Sequence, residues 1–418
     1  MIRVRDKLTS IAVDGLDFVR SQPRDWKITA VRTSIFRFFY QMILPYLSIY
    51  VLLLGATGTQ LGIVNSVGMA VAGLIAPYTG WLMDRIGVKK IYLVGIIFLV
   101  ISWLVYAIAW NWTFIIVAML AYWLGFRTSM HGCTVICGNS LATQDRATAM
   151  SCCETLAAGL LGVAGPMIGA LVVSSFGGVN INGIRPLFYI SLAGTVATFI
   201  LVYTQISNKR WGGNRESRVN FLSDFVRLMK QGRNLKRFII ISTLTFLPTG
   251  MIIPFTQPFA YEIKGANEFV LGAMVTGFAL TPLLLGIPIG RLADRIGRKK
   301  VIYLITPLFW ISNLMLIWAP NSFFLIFAGI LQGFFFVLAV VTAAMQFEMV
   351  PPEHMGKWMG ILGFFRMLVA AITAYFAGII WDNLGPQYVF LLYLSLDITI
   401  RIPLLITIPE TLGIIKTE

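Results

Sequence analysis

The sequence predicts an all-α membrane protein of twelve transmembrane helices in two six-helix bundles, with both termini cytoplasmic. Apolar runs of bilayer-spanning length follow one another along the chain, charge is scarce, and one loop motif returns half a chain later. The 418 residues are 57% hydrophobic and 12% charged, against roughly 25% charged in a soluble domain. Twelve spans of about 20 residues take up about 240 residues, which leaves short loops and no sizeable soluble domain.

Spanning-length runs lie near 31–54, 59–82, 91–110, 112–140, 148–174 and 185–206, and again near 238–261, 267–292, 300–319, 322–348, 356–381 and 386–408. The chain accordingly divides into a cytoplasmic N-terminal segment (1–30), a first bundle (31–206), a basic cytoplasmic linker (207–237), a second bundle (238–408) and a cytoplasmic tail (409–418). Alternating the spans collects most loop Lys and Arg on the side of both termini and the linker, which the positive-inside rule makes cytoplasmic. The net charge of +15 therefore reads as topology rather than as affinity for nucleic acid. The expected surroundings are a lipid bilayer in the cell membrane.

Smaller features complete the pass. Leu8, Ile11, Ala12, Leu16 and Val19 share a helical stripe, which fits an interfacial helix or a solvated tail. No cleavable signal peptide is expected. Cys133, Cys137, Cys152 and Cys153 lack the spacing of a zinc site and read as buried thiols, so no metal is implied.

The strongest signal is internal repetition. Gly80-Trp-Leu-Met-Asp84-Arg85-Ile-Gly87-Val-Lys89-Lys90 returns as Gly290-Arg-Leu-Ala-Asp294-Arg295-Ile-Gly297-Arg298-Lys299-Lys300, identical at eight of eleven positions. Met42-Ile-Leu-Pro45 overlays Met251-Ile-Ile-Pro254 at nearly the same offset, so one six-helix unit is used twice. At these residues the chain resembles the major facilitator superfamily, whose signature between helices 2 and 3 is G-x-x-x-D-[R/K]-x-G-[R/K]-[R/K]. Val88 departs from it. The resemblance implies a secondary transporter in which two bundles rock about a central site, with no cofactor. It also implies that Asp84 faces the start of helix 11, and Asp294 the start of helix 5, as a cytoplasmic gate that a helix macrodipole would favour. Gly87 and Gly297 suit a tight turn. Lys89, Lys90, Lys299 and Lys300 read as topology determinants that reach lipid headgroups.

Ionisable groups inside hydrocarbon are costly, so each is a functional candidate. Arg37 on helix 1, with Gln41 on the same polar face, fits snorkelling, gating or substrate contact. Arg127 and His131 on helix 4 lie near the depth of Glu154 on helix 5; an Arg127–Glu154 pair, a proton-coupled Glu154 and an anion-binding Arg127 are the alternatives. Asp397 and Arg401 on helix 12, with Arg366 on helix 11, read as a charge cluster that serves structure. Helix 7 carries three prolines and places Gln257 and Tyr261 on one stripe, while helix 10 places Gln332 and Gln346 on another. These side chains line a polar cavity or bond between helices.

An alternating-access transporter for a small solute is the leading reading, proton-coupled in one version and monomeric. The substrate is either an organic anion, as Arg37 and Arg127 suggest, or a neutral or amphipathic molecule, as the Gln and aromatic stripe suggests. Gly165-Pro166 within helix 5 resembles a partial exporter motif, so efflux stays open; the absence of an acidic residue in helix 1 weighs against a multidrug antiporter. A transporter-fold receptor or an integral-membrane enzyme are the alternative classes. No G-x-x-x-x-G-K-[S/T] loop occurs, and two histidines do not make a metal site.

Overall fold

The computed structural model describes residues 18, 20–140, 160–207, 233–349 and 355–410, and the regular elements among them are helices. We label these α1 (24–53, as Arg24–Ile43 and Leu47–Leu53), α2 (Gly58–Ile86), α3 (Val88–Ile108), α4 (Trp112–Ser140), α5 (Leu160–Ser175) and α6 (Ile181–Gln205). The second half gives α7 (233–263, in four pieces), α8 (Glu268–Ile296), α9 (Arg298–Trp318), α10 (322–349, interrupted at Gly333), α11 (Met355–Asn383) and α12 (386–406, with a π-helical turn at Asp397–Arg401).

Among the described residues ten helices are long and apolar enough to cross a membrane, and an eleventh counts when the two pieces of α1 are taken as one bent span. The twelfth expected span is α5, whose expected beginning at 148 lies outside the described residues. So do most of the 207–237 linker and the whole stripe of Leu8, Ile11, Ala12, Leu16 and Val19. Helices are what the bilayer demands: with no water in the hydrocarbon core, each backbone N–H must be satisfied within its own segment.

Local sequence sets the ends. Thr57 and Gln60 form a capping box at the start of α2, and Asn180, Asn267 and Asn321 cap α6, α8 and α10. Proline sets the breaks. The two pieces of α1 meet at 43° across Pro45, and α7 breaks at Ile252 beside Pro254. The Met-Ile-x-Pro repeat seen in the sequence thus marks a kink in both halves.

On α3, Ile91, Ile96, Leu99, Trp103 and Tyr106 are buried, whereas Val94, Ile97, Ile101, Leu104 and Ile108 are exposed on the outer face. A helix that is apolar all round with only one side covered by protein is what lipid contact requires. Within the first half α3 packs on α4, α2 on α4 and α1 on α5; within the second, α8 packs on α10, α7 on α11 and α9 on α10. The halves meet along two seams, α2 against α11 and α5 against α8.

Both seams rely on missing side chains. A Cβ on Gly62 would sit 2.5 Å from Ala374 O and 3.2 Å from Gly378 Cα, and one on Gly272 would sit 2.9 Å from Pro166 O. Small residues let backbones approach and gain dispersion contact where lipid supplies no hydrophobic drive. Gly62→Val should therefore cost about 2 kcal/mol, in the range of overpacking, seen as a lower melting temperature in detergent. Gly363→Ala, where a Cβ would have nothing within 4 Å, should leave it unchanged.

Candidate functional site

The repeated loops lie at one end of the bundle, here the motif end. Gly87 has φ 101° and ψ 140°, and Gly297 has φ 111° and ψ 147°, a region that L side chains rarely enter. Each turn sends its helix straight into the next. Lys89 Nζ donates to Ile206 O (2.6 Å), and Lys299 Nζ donates to Ile406 O (2.9 Å) and Ile408 O (2.7 Å). These two lysines therefore cap the carbonyl ends of the last helix in their own half, where a cation offsets the macrodipole; Lys90 and Lys300 are exposed. Glu410 accepts from Arg298 N (2.9 Å) and Lys299 N (3.0 Å), supplying α9 with the cap that Gly297 lacks.

Asp294 is exposed and pairs with Arg298 one turn on. Its expected partner, the beginning of helix 5, lies outside the described residues, as do the side chains of Asp84 and His131, the surroundings of Gly80 and all of Glu154. Arg85 and Arg295 point outward.

Several hydrogen bonds between described residues of the two halves lie toward the opposite, far end. Asp382 on α11 accepts from Gly58 N (2.9 Å) and Thr59 N (2.7 Å), capping α2 from the other half. Tyr46 donates to Glu268 O and Tyr261 to Val179 O, both at 3.1 Å. Above the cavity Trp381 packs against Phe255 and Phe259. The far end is shut.

Beneath this closure lies a cavity of about 480 Å³ walled by α1, α2, α3, α4, α7, α8, α10 and α11. One wall is aromatic: Tyr40 stacks on Tyr122 (5.7 Å between centroids), Tyr122 on Phe126 (5.7 Å), and Trp103 leans on Tyr122 (5.8 Å). Polar groups are few. Asn65, Gln257 and Gln332 line it, with Gln332 Nε2 bonded to Thr256 Oγ1 (3.2 Å). Arg37, Arg127 and Arg366 also line it, from three different helices, and no Asp or Glu does so among the described residues. Arg366 Nε donates to Ser242 O (3.3 Å), its Nη2 bonds Ser242 Oγ, and its guanidinium lies 4.9 Å from the Phe246 ring centre. Arg127 Nε and Gln257 Oε1 are buried without a hydrogen-bond partner among the described residues.

The model of the Major Facilitator Superfamily matches residues 30–234 and 238–408. The chain belongs to the major facilitator superfamily. It is a multi-pass transporter of the cell membrane, not an enzyme. Multidrug resistance protein MdtG of Salmonella choleraesuis (strain SC-B67) is 28% identical over 317 residues, covering 72% of this chain and 74% of that protein. MdtG of Escherichia coli (strain SMS-3-5 / SECEC) is 28% identical over 296 residues, 68% of each. Among solved structures, the nucleoside transporter NupG superposes with a TM-score of 0.74 at 14% identity, over 93% of this chain and all of that one. The human organic anion transporter MFSD10 (TETRAN) gives 0.64 at 16%, over 92% of this chain and 100% of that one.

In this superfamily member the sequence-derived candidates separate into groups. Arg37, Arg127, Gln257 and Gln332 come together on the cavity. Gln41 instead faces Gly165 of α5, Tyr261 belongs to the far-end closure, and Gln346 bonds Ser242 between α10 and α7. Arg366 departs from its expected cluster and joins the cavity. Asp397 and Arg401 remain as a closed buried pair: Arg401 Nη2 donates to Asp397 Oδ2 (2.8 Å) and Thr306 Oγ1 (3.3 Å), and Trp310 Nε1 donates to Asp397 Oδ2 (2.7 Å). Sequence reasoning missed Trp103 and Tyr106 of α3, Asn65 of α2, and the Tyr40–Tyr122 stack. The aromatic spacing at 103 and 106, and at 122 and 126, was the available signal, since each pair shares a helix face.

The buried pair gives a direct test. Arg401→Met alone should cost about 3–5 kcal/mol because it leaves a buried carboxylate unpaired. Asp397→Leu with Arg401→Met should recover most of that loss, measured as melting temperature around a double-mutant cycle.

Proposed function

We propose that this transporter carries amphipathic organic solutes by alternating access, through twelve spans, and that the present conformation faces the cytoplasm. The cavity carries the reading: it lies between the bundles, is mostly apolar and aromatic, holds a few converging polar groups and is closed at the far end. Its volume suits a drug-sized molecule. The motif end is assigned to the cytoplasm, with both termini, because loop Lys and Arg gather there.

In this reading the two ends exchange closures. Asp382 on the α2 N-terminus holds the outer side, and Asp84 and Asp294 form the corresponding inner contacts once the bundles rock. The MdtG relatives, by their name, act in multidrug resistance, and an aromatic cavity without fixed shape recognition fits a varied set of solutes. Glu154 is the proposed carrier of a coupling proton, since it is the acidic residue that the sequence sets near the depth of Arg127. A monomer suffices, because the two halves of one chain already enclose the cavity.

Asp382→Ala removes a helix cap worth about 1 kcal/mol, which shifts the balance toward the outward-open state by about fivefold. With native cysteines replaced, Asn65→Cys should then react several-fold faster with a membrane-impermeant maleimide added outside. Unchanged labelling, together with unchanged solute flux in proteoliposomes, would remove the latch and with it the main support for alternating access.

A further inference from the structure

Three cations line one cavity, where like charges gathered at membrane depth favour a counter-charge between them. Placing a guanidinium at membrane depth costs several kcal/mol unless it is paired or solvated. Arg37, Arg127 and Arg366 come from α1, α4 and α11, so both halves contribute, and Arg127 and Arg366 repel each other across the space. The sequence contains a neutral solution to structural charge elsewhere, since Arg401 lies against Asp397. Around Arg127 and Arg366, no carboxylate lines the cavity among the described residues.

Their placement along the cavity is ordered. On α4 Arg127 is five residues from Tyr122, about 7.5 Å along the helix axis, and it is the one nearer the motif end. On α1 Arg37 is likewise nearer the motif end than Tyr40, its neighbour one turn on. Trp103 and Tyr106 approach the far end of α3. The cavity therefore has a cationic mouth and an aromatic blind end. Ser242 and Phe246 fix the Arg366 guanidinium from one side, which pre-organises it for an acceptor.

We propose that the solute class is an amphipathic organic anion: a carboxylate or sulfonate held among Arg37, Arg127 and Arg366, attached to an aromatic body stacked in the Tyr40–Tyr122–Trp103 wall. This rests on the transport reading above and narrows it. An anion converts mutual repulsion into charge-assisted, bidentate hydrogen bonds, for which planar guanidinium groups are shaped. It also places an acceptor beside the buried Arg127 Nε. A cationic amphipath would meet like charge at the mouth, and a neutral one would leave the three guanidiniums as they are.

The test compares three probes of one shape on the purified full chain: 2-naphthoate, 2-naphthamide and 2-naphthylmethylammonium, with binding read by calorimetry and thermal shift. Naphthoate is expected to bind at least tenfold more tightly than the amide, and the ammonium not to bind. Arg366→Gln and Arg127→Gln should each weaken naphthoate about tenfold or more and leave the amide within twofold, so retained amide binding serves as the control for folding. Amide binding equal to naphthoate, ammonium binding best, or arginine variants that lose amide and naphthoate alike would overturn the proposal. Absence of binding by all three, with Asn65→Cys still labelled in an Asp382-dependent way, would overturn the anion class and leave alternating access standing. Loss of that labelling response as well would overturn both.

Discussion

Close backbone approach between α2 and α11 is the constraint on which the rest depends. In a bilayer the lipid tails are as apolar as the helices, so two bundles stay together only where surfaces fit more closely than lipid fits either one. Gly62 and Gly378 remove the atoms that would hold the seam apart, and Gly250 lets α7 come against Ala370 of the same α11. That helix then stands against both halves at once. Its lower stretch is left free to contribute Arg366 and Gly363 to the cavity.

From this seam follow both the shape and the chemistry of the centre. Tight packing toward the far end brings Asp382, Tyr46 and Tyr261 to backbone partners across the interface. An interior volume is left lower down, where side chains larger than glycine have space. Aromatic rings fill its wall by stacking on one another, which satisfies their area without demanding a single partner. One polar contact between α8 and α10 answers a carbonyl that a broken helix has freed. Ile330 O, exposed by the interruption of α10 at Gly333, is taken by Thr281 Oγ1 at 2.6 Å.

Much of this was legible beforehand, and the reasons differ by feature. Hydropathy reports spans because lipid forbids unsatisfied backbone, and the repeat of Gly80–Lys90 at Gly290–Lys300 reports duplication because both loops need the same glycine turn. Arg37 and Arg127 were recognisable because charge inside a span is rare. Arg366 was recognisable as charged but was set in the wrong company. Depth along the helix matched it to Arg401, whereas rotation about the helix axis, which depends on how α11 packs on α2 and α7, turned it toward the cavity. Tyr261 and Gln41 show the same limit, since a stripe gives the face of a helix and not the neighbour that the face meets. The exchange of lysine roles is subtler. Lys89 and Lys299 look like topology signals in one dimension, and only the fold shows that the carbonyl ends of α6 and α12 lie within their reach.

The cap on α2 has a consequence for biogenesis. Its first turn is completed by a carboxylate 324 residues further along the chain. While the first half emerges and inserts, the N–H groups of Gly58 and Thr59 have only the water at the membrane surface to satisfy them, because the Thr57–Gln60 box serves Thr57 N and Gln60 N. The seam therefore forms late, after α11 has been synthesised, and the first bundle must hold itself in the membrane as a separate body until then. A chain made this way retains two bodies, and the α2–α11 seam, with Asp382 on the first turn of α2, is the junction that assembly closed last.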